Sequence, residues 1–120
     1  MGSRRILLVE DDFSIRETIA ELLEDEGFRV TCAANGAEAL ERLEVGEEPS
    51  LILLDLMMPV MDGSAFRQAQ RSDPRISKIP VVVLSAGHGA DRRAATLDVD
   101  AFLAKPFEVQ TLLETVSRFV

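Results

Sequence analysis

Glu10, Asp11 and Asp12 follow the first apolar run of this sequence, and Asp55 follows the third. Ser85 comes directly after the fourth run and Lys105 close behind the fifth, whereas the second run ends on nothing comparable. A carboxylate can ligate a hard cation or attack an electrophile, a hydroxyl can donate to an anion, and an ammonium can neutralise one. Each of these residues alone is ordinary: Asp11 or Asp12 reads as a solvated cap of a helix, Asp55 as a strand-end acid, Ser85 as a cap and Lys105 as a surface amine. Their chemistry depends on whether the fold brings them together.

Five short apolar runs recur at Ile6–Val9, Phe28–Cys32, Leu51–Leu54, Val81–Leu84 and Ala101–Leu103. Most lack polar alternation, as expected of strands covered on both faces. Phe28, Val30 and Cys32 alternate with Arg29 and Thr31, which places that strand at an edge with one wetter side. Helical patterns lie between the runs. The first shows a capping-box spacing at Ser14 and Glu17, then Ile15, Ile19, Leu22 and Leu23 on one face, and Gly27 as a stop. The second, over 37–45, turns Leu40 and Leu43 inward, and the third, over 63–71, turns Phe66 and Ala69 inward before Pro74. A shorter fourth covers 90–97, and the last, over 108–119, spaces Val109, Leu112, Leu113 and Val116 for one buried face. Alternating strands and helices predict an α/β fold, (βα)5, with a doubly wound five-stranded parallel sheet in the flavodoxin-like order 2-1-3-4-5.

In that order strands one and three are neighbours, so Asp11, Asp12 and Asp55 converge at the carboxyl ends of the strands, where such sheets open their ligand crevice. Crowded carboxylates raise one another's proton affinity unless a proton, a cationic group or a metal compensates them. Lys105 supplies one charge, and Mg2+ suits the remaining deficit, because it accepts one or two carboxylates with a carbonyl, waters and a phosphate oxygen. The 120 residues carry a net charge of -8, which favours cations and argues against direct binding of nucleic acid or anionic lipid. No apolar run approaches the ~18 residues of a membrane span. A single cysteine, Cys32, excludes an internal disulfide and reads as a small buried hydrophobe, and a cytoplasmic setting is expected. Met1, Gly2 and Ser3 look like an expression remnant, leaving one domain over 4–120.

The pieces Val9-Glu10-Asp11-Asp12, Leu54-Asp55-Leu56-Met57-Met58-Pro59 with Met61-Asp62-Gly63, Leu84-Ser85-Ala86 and Phe102-Leu103-Ala104-Lys105-Pro106-Phe107 jointly resemble the receiver domain of two-component response regulators. The resemblance covers nearly the whole chain. It implies a phosphorylation-activated signalling switch in which Asp55 accepts a phosphoryl group from a phosphohistidine, with Asp12, Asp55 and the carbonyl of Met57 as Mg2+ ligands and Asp11 acting nearby or through water. Ser85 and Lys105 would contact the phosphoryl oxygens, helped by the backbone N–H groups of Met57 and Ala86. The implied donor is a sensor histidine kinase or a histidine phosphotransfer protein, and the output partner is not specified. A dimer formed on phosphorylation is compatible with it. Activity beyond self-phosphorylation and self-dephosphorylation is not implied, so the chain reads as a phosphoacceptor and not an enzyme. Recruitment of Ser85 would draw in the following loop, let Phe102 rotate and alter the surface of the fourth helix, fifth strand and last helix. The resemblance also favours a cis bond before Pro106.

Three features depart from the family pattern or vary within it. Asp98 and Val99 replace the usual Gly-Ala before the fifth strand, so Asp98 must make a left-handed turn. The stretch 85–105 is slightly short. Met57 and Gly87 fall where side chains influence access of water to the acyl phosphate, and an apolar Met57 is expected to shield it. His88 reads as a solvated loop residue, and Arg92 and Arg93 as a solvated helical face. Two alternatives remain: a haloacid-dehalogenase-like phosphatase, disfavoured by Met57 standing where that class has its second acid, and a degenerate receiver that only docks.

Overall fold

The computed structural model describes residues 4–46, 48–85, 92 and 95–120. Five strands, β1 (Arg5–Val9), β2 (Arg29–Ala33), β3 (Leu51–Asp55), β4 (Val81–Ser85) and β5 (Ala101–Ala104), alternate with helices α1 (Phe13–Asp25), α2 (Gly36–Val45), α3 (Gly63–Ser72) and α4 (Val109–Ser117). All strand pairs are parallel and the order is β2-β1-β3-β4-β5, as the sequence predicts. Of the helix expected over 90–97, Arg92, Ala95 and Thr96 are helical. The remainder lies largely outside the described residues, as do Ala86, Gly87, His88 and Arg93.

Successive residues of a strand face opposite sides of the sheet. Leu7, Val9, Ile52, Leu54, Val81 and Val83 therefore join one core with Ala39 of α2 and Phe66 of α3. Ile6, Leu8, Leu51, Leu53, Val82 and Leu84 join the other with Ile19 and Leu23 of α1 and Leu112 and Val116 of α4. Two dry layers explain why the central strands read as unbroken apolar runs. At the edge, β2 is half wet: Arg29 and Thr31 are exposed while Val30 and Cys32 are half-buried.

Two local expectations are corrected. α1 begins two residues earlier than the Ser14 spacing suggests, because Asp12 is its N-cap and accepts from the N–H of Ile15 at 3.0 Å. α3 turns Gly63, Phe66, Arg67 and Gln70 inward, while Ala69 is only half-buried. That set is an i, i+3, i+4, i+7 stripe with two polar members, which an apolar periodicity does not register.

Gly27 ends α1 with φ +95°, and Asp98 makes the expected left-handed turn with φ 54°. The bond between Lys105 and Pro106 is cis, as expected. Gly63 is required by proximity: a Cβ there would lie 2.7 Å from the carbonyl oxygen of Asp55 and 2.8 Å from the Cα of Leu56. α3 thus starts directly against the end of β3.

Candidate functional site

Val9 pairs with Leu54, so the residues immediately beyond, Glu10 and Asp55, come side by side. Asp55 is the last residue of β3 and is only 5% exposed. Glu10 is 1% exposed, and its N–H is still held by the carbonyl of Ala33 at 3.0 Å. The chain then turns, bringing exposed Asp11 around the mouth, and enters α1 at Asp12. Ligand oxygens of Glu10, Asp11 and Asp55 all lie within 4.8 Å of one another.

Asp12 does not join them. Its carboxylate caps α1, and its own N–H donates to Glu10 Oε2 at 3.2 Å. The expectation that Asp11 and Asp12 form the acidic pair beside Asp55 is therefore displaced by one residue, to Glu10 and Asp11. Strand register decides this, because the first position past Val9 lies alongside Asp55 and the third is already at the helix. Glu10 is the residue that sequence reasoning passed over, although extending the pairing of the first and third strands by one position locates it.

Lys105 enters from β5, whose end is held by the bond from the Lys105 N–H to the carbonyl of Ser85 at 2.9 Å. Its Nζ lies 2.5 Å from Glu10 Oε1 and 3.6 Å from Asp55 Oδ2. One ammonium thus serves two buried carboxylates, with Asp11 as a third negative charge nearby. Burial, followed by repulsion from Glu10, pushes the Asp55 carboxyl from its ordinary 3.8 up to about 7, against the opposing pull of Lys105 and of the Met57 N–H. That N–H donates to Asp55 Oδ1 at 3.3 Å, while the Met57 side chain is 63% exposed over the loop.

Ser85 closes the arrangement at the end of β4. Its hydroxyl is buried and, among the described residues, has no hydrogen-bond partner. Standing at the strand end beside a carboxylate and an ammonium, it can donate to an oxyanion seated there. Asp55, Lys105, Ser85 and the loop at Met57 are therefore brought to one edge, Asp12 is not, and Ala86 lies outside the described residues. Chemically, the edge combines a buried carboxylate, an ammonium, an idle hydroxyl donor and a carboxylate cluster with excess negative charge, as a cation-assisted anion site requires.

The family model of the response regulator receiver domain matches residues 6–117. The response regulator Rre1 of Synechocystis sp. is 43% identical over 110 residues, covering 89% of this chain and 47% of that relative. The transcriptional regulatory protein CrdR of Helicobacter pylori is 36% identical over 118 residues, covering 97% and 54%. The chain spans about half the length of these curated relatives. Among solved structures, the receiver domain of the sensor histidine kinase PA1611 from Pseudomonas aeruginosa PAO1, described with a magnesium ion coordinated in its active site cleft, is similar at a TM-score of 0.89 and 30% identity, covering 98% of both chains. The signal receiver domain of a signal transduction histidine kinase from Syntrophus aciditrophicus is similar at 0.88 and 32%, covering 96% of this chain and 88% of that one. Among the described residues, no helix is long and apolar enough to cross a membrane. Sheet order, the acid, hydroxyl and lysine at one strand edge, and a family match over nearly the whole length converge on one conclusion: the chain belongs to the response regulator receiver domain family of two-component signalling.

Proposed function

We propose that the domain formed by residues 4–120 is a switch set by phosphorylation of Asp55. The observation that carries this reading is the pairing of a buried carboxylate, held between Glu10 and Lys105, with the buried hydroxyl of Ser85 at the adjoining strand end, which has no partner among the described residues. In the reaction a carboxylate oxygen of Asp55 forms a bond to phosphorus as the P–N bond of a phosphohistidine breaks, leaving an acyl phosphate. Lys105 neutralises part of the charge on the phosphoryl oxygens, and Ser85 donates to one of them. The N–H of Met57 already points at the acceptor carboxylate and holds it oriented.

The donor set fits a hard divalent cation, since three carboxylates with ligand oxygens within 4.8 Å face a single ammonium. Glu10, Asp11 and Asp55, with the Met57 carbonyl, would hold Mg2+, which supplies charge neutralisation at the phosphoryl group. The proton-binding tendency of Asp55 would compete with that role.

A sensor histidine kinase or histidine phosphotransfer protein is the donor this chemistry calls for. An apolar groove of about 490 Å³ between α1 and the start of α4, lined by Ile15, Leu22, Pro106, Phe107 and Val109 together with Lys105, offers that protein an apolar contact beside the acceptor. The response passes to the surface around β5 and α4, where Phe102 is half-buried against the core. A cytoplasmic location follows from the donor chemistry.

The test is intact mass after incubation with acetyl phosphate and Mg2+. One phosphoryl adduct is expected on the wild type, none on Asp55→Asn and none in excess EDTA. An adduct that survives in Asp55→Asn, or steady turnover of the phosphodonor without modification, would overturn the proposal.

A further inference from the structure

α3 carries a buried cation that the site does not use. Arg67 is 7% exposed, yet each of its three side-chain nitrogens donates a hydrogen bond: Nε to the carbonyl of Leu97 at 3.1 Å, Nη2 to that of Asp98 at 2.6 Å, and Nη1 to Gln70 Oε1 at 2.7 Å. Gln70 in turn donates to the carbonyls of Ile76 and Ile79 at 2.9 and 3.0 Å. Among the described residues no carboxylate is bonded to the guanidinium, and burial lowers its proton affinity against the weaker pull of Asp100 and Asp98. A charge is costly to bury, and an apolar residue would fill the same place on the stripe more cheaply. What the arginine does that an apolar residue cannot is span two successive carbonyls with one rigid fork.

Those carbonyls belong to the turn from which β5 starts. β5 is an edge strand of four residues, only one of which, Leu103, is buried, so packing alone specifies its register weakly. Its start is instead held from outside. Arg67 grips residues 97 and 98, where Asp98 takes its left-handed conformation, and Asp100 exchanges two bonds with Val81, its carboxylate accepting from the Val81 N–H at 2.8 Å and its N–H donating to the Val81 carbonyl at 2.9 Å. Ala101–Ala104 then pair with Val82–Ser85, and Lys105 follows at once. A slip of one residue would turn the lysine to the opposite face of the sheet.

We propose that Arg67 is a positioning residue for Lys105: by clamping the carbonyls of Leu97 and Asp98 to α3, it fixes where β5 begins and thereby where the strand delivers the ammonium. The lysine's role rests on the function proposed above, whereas the clamp itself does not.

Amide exchange of the metal-free chain separates the two. In Arg67→Met, and in Arg67→Lys, which keeps the charge but not the fork, exchange at 101–105 should rise about tenfold while 6–9 and 51–55 change less than about twofold. A uniform rise across the sheet, or none, would overturn the clamp. Phosphoryl acceptance from acetyl phosphate at saturating Mg2+ supplies the second reading. Arg67→Lys should slow it about tenfold with Lys105 present and less than about twofold in a Lys105→Ala background, because the two changes act through one group. Equal slowing in both backgrounds would overturn positioning through Lys105. A wild type that accepts no phosphoryl group refutes the functional reading instead, and the exchange result still decides the clamp.

Discussion

Asp55 is held where its charge is unwelcome, and replacing it with asparagine should therefore stabilise the metal-free protein at neutral pH. The folded carboxyl is raised from 3.8 to about 7. Between those values the folded state binds more protons than the unfolded one, so this group's contribution is favourable at low pH and is lost as pH rises through the window. The full shift corresponds to a ceiling of about 4 kcal/mol above pH 7, of which about 1 kcal/mol is already present at pH 4.5, where the unfolded carboxyl is mostly ionised. Asparagine keeps an oxygen for the Met57 N–H and leaves Lys105 its partner at 2.5 Å, Glu10. The 3.6 Å contact to the ammonium, which the variant loses, is made only by the ionised carboxyl, and its pull is already contained in the raised value. The informative quantity is accordingly the change in the gap between variant and wild type, which should narrow by up to about 3 kcal/mol between pH 7.5 and pH 4.5. Urea unfolding in EDTA at several pH values measures it, with a midpoint difference of about 1 M or more at the upper end. A gap that is constant with pH, or that widens as pH falls, would show that Asp55 is not held as a reluctant anion.

Other outcomes follow from particular contacts. Gly63→Ala drives a Cβ into the backbone of Asp55 and Leu56, so urea unfolding should show a loss of about 1–3 kcal/mol, and an unchanged midpoint would mean the two elements part freely. Val60 is a β-branched residue at φ 67° that is largely exposed; Val60→Gly relieves that backbone without losing buried area and should raise stability by about 1 kcal/mol in the same assay. Met57→Asn places a polar group over the mouth of the site, and the acyl phosphate of the variant should decay several-fold faster, measured by loss of the adduct mass. An equal or longer lifetime would remove the shielding role.

The sequence discloses the sheet because its strands are buried on both faces and therefore show as apolar runs, and because short connections leave few topologies. Asp55, Ser85 and Lys105 are legible for the same reason: each stands where a run ends. The acidic pair is harder to read, since three consecutive acids offer no internal reference and only the register of Val9 on Leu54 shows that Glu10, not Asp12, lies beside Asp55. Ser14 resembles a cap as well as Asp12 does, and the choice depends on where β1 releases the chain. Arg67 and Gln70 escape an apolar pattern altogether, because their inward position is justified by carbonyls as far as 31 residues away. The left-handed turn at Asp98 is foreseeable from the missing glycine, but the arginine that holds it is not.

Ser85 sets a direction for the equilibrium. Among the described residues its hydroxyl has no hydrogen-bond partner, so donation to an incoming oxygen breaks no bond to any of them. A hydrogen bond from it to a charged oxygen would contribute about 1–3 kcal/mol. Any oxyanion seated against Asp55 would gain that energy, a factor of roughly 5 to 150 in population. On the proposed reading, phosphorylation of Asp55 would gain this bond at no cost to any other among the described residues.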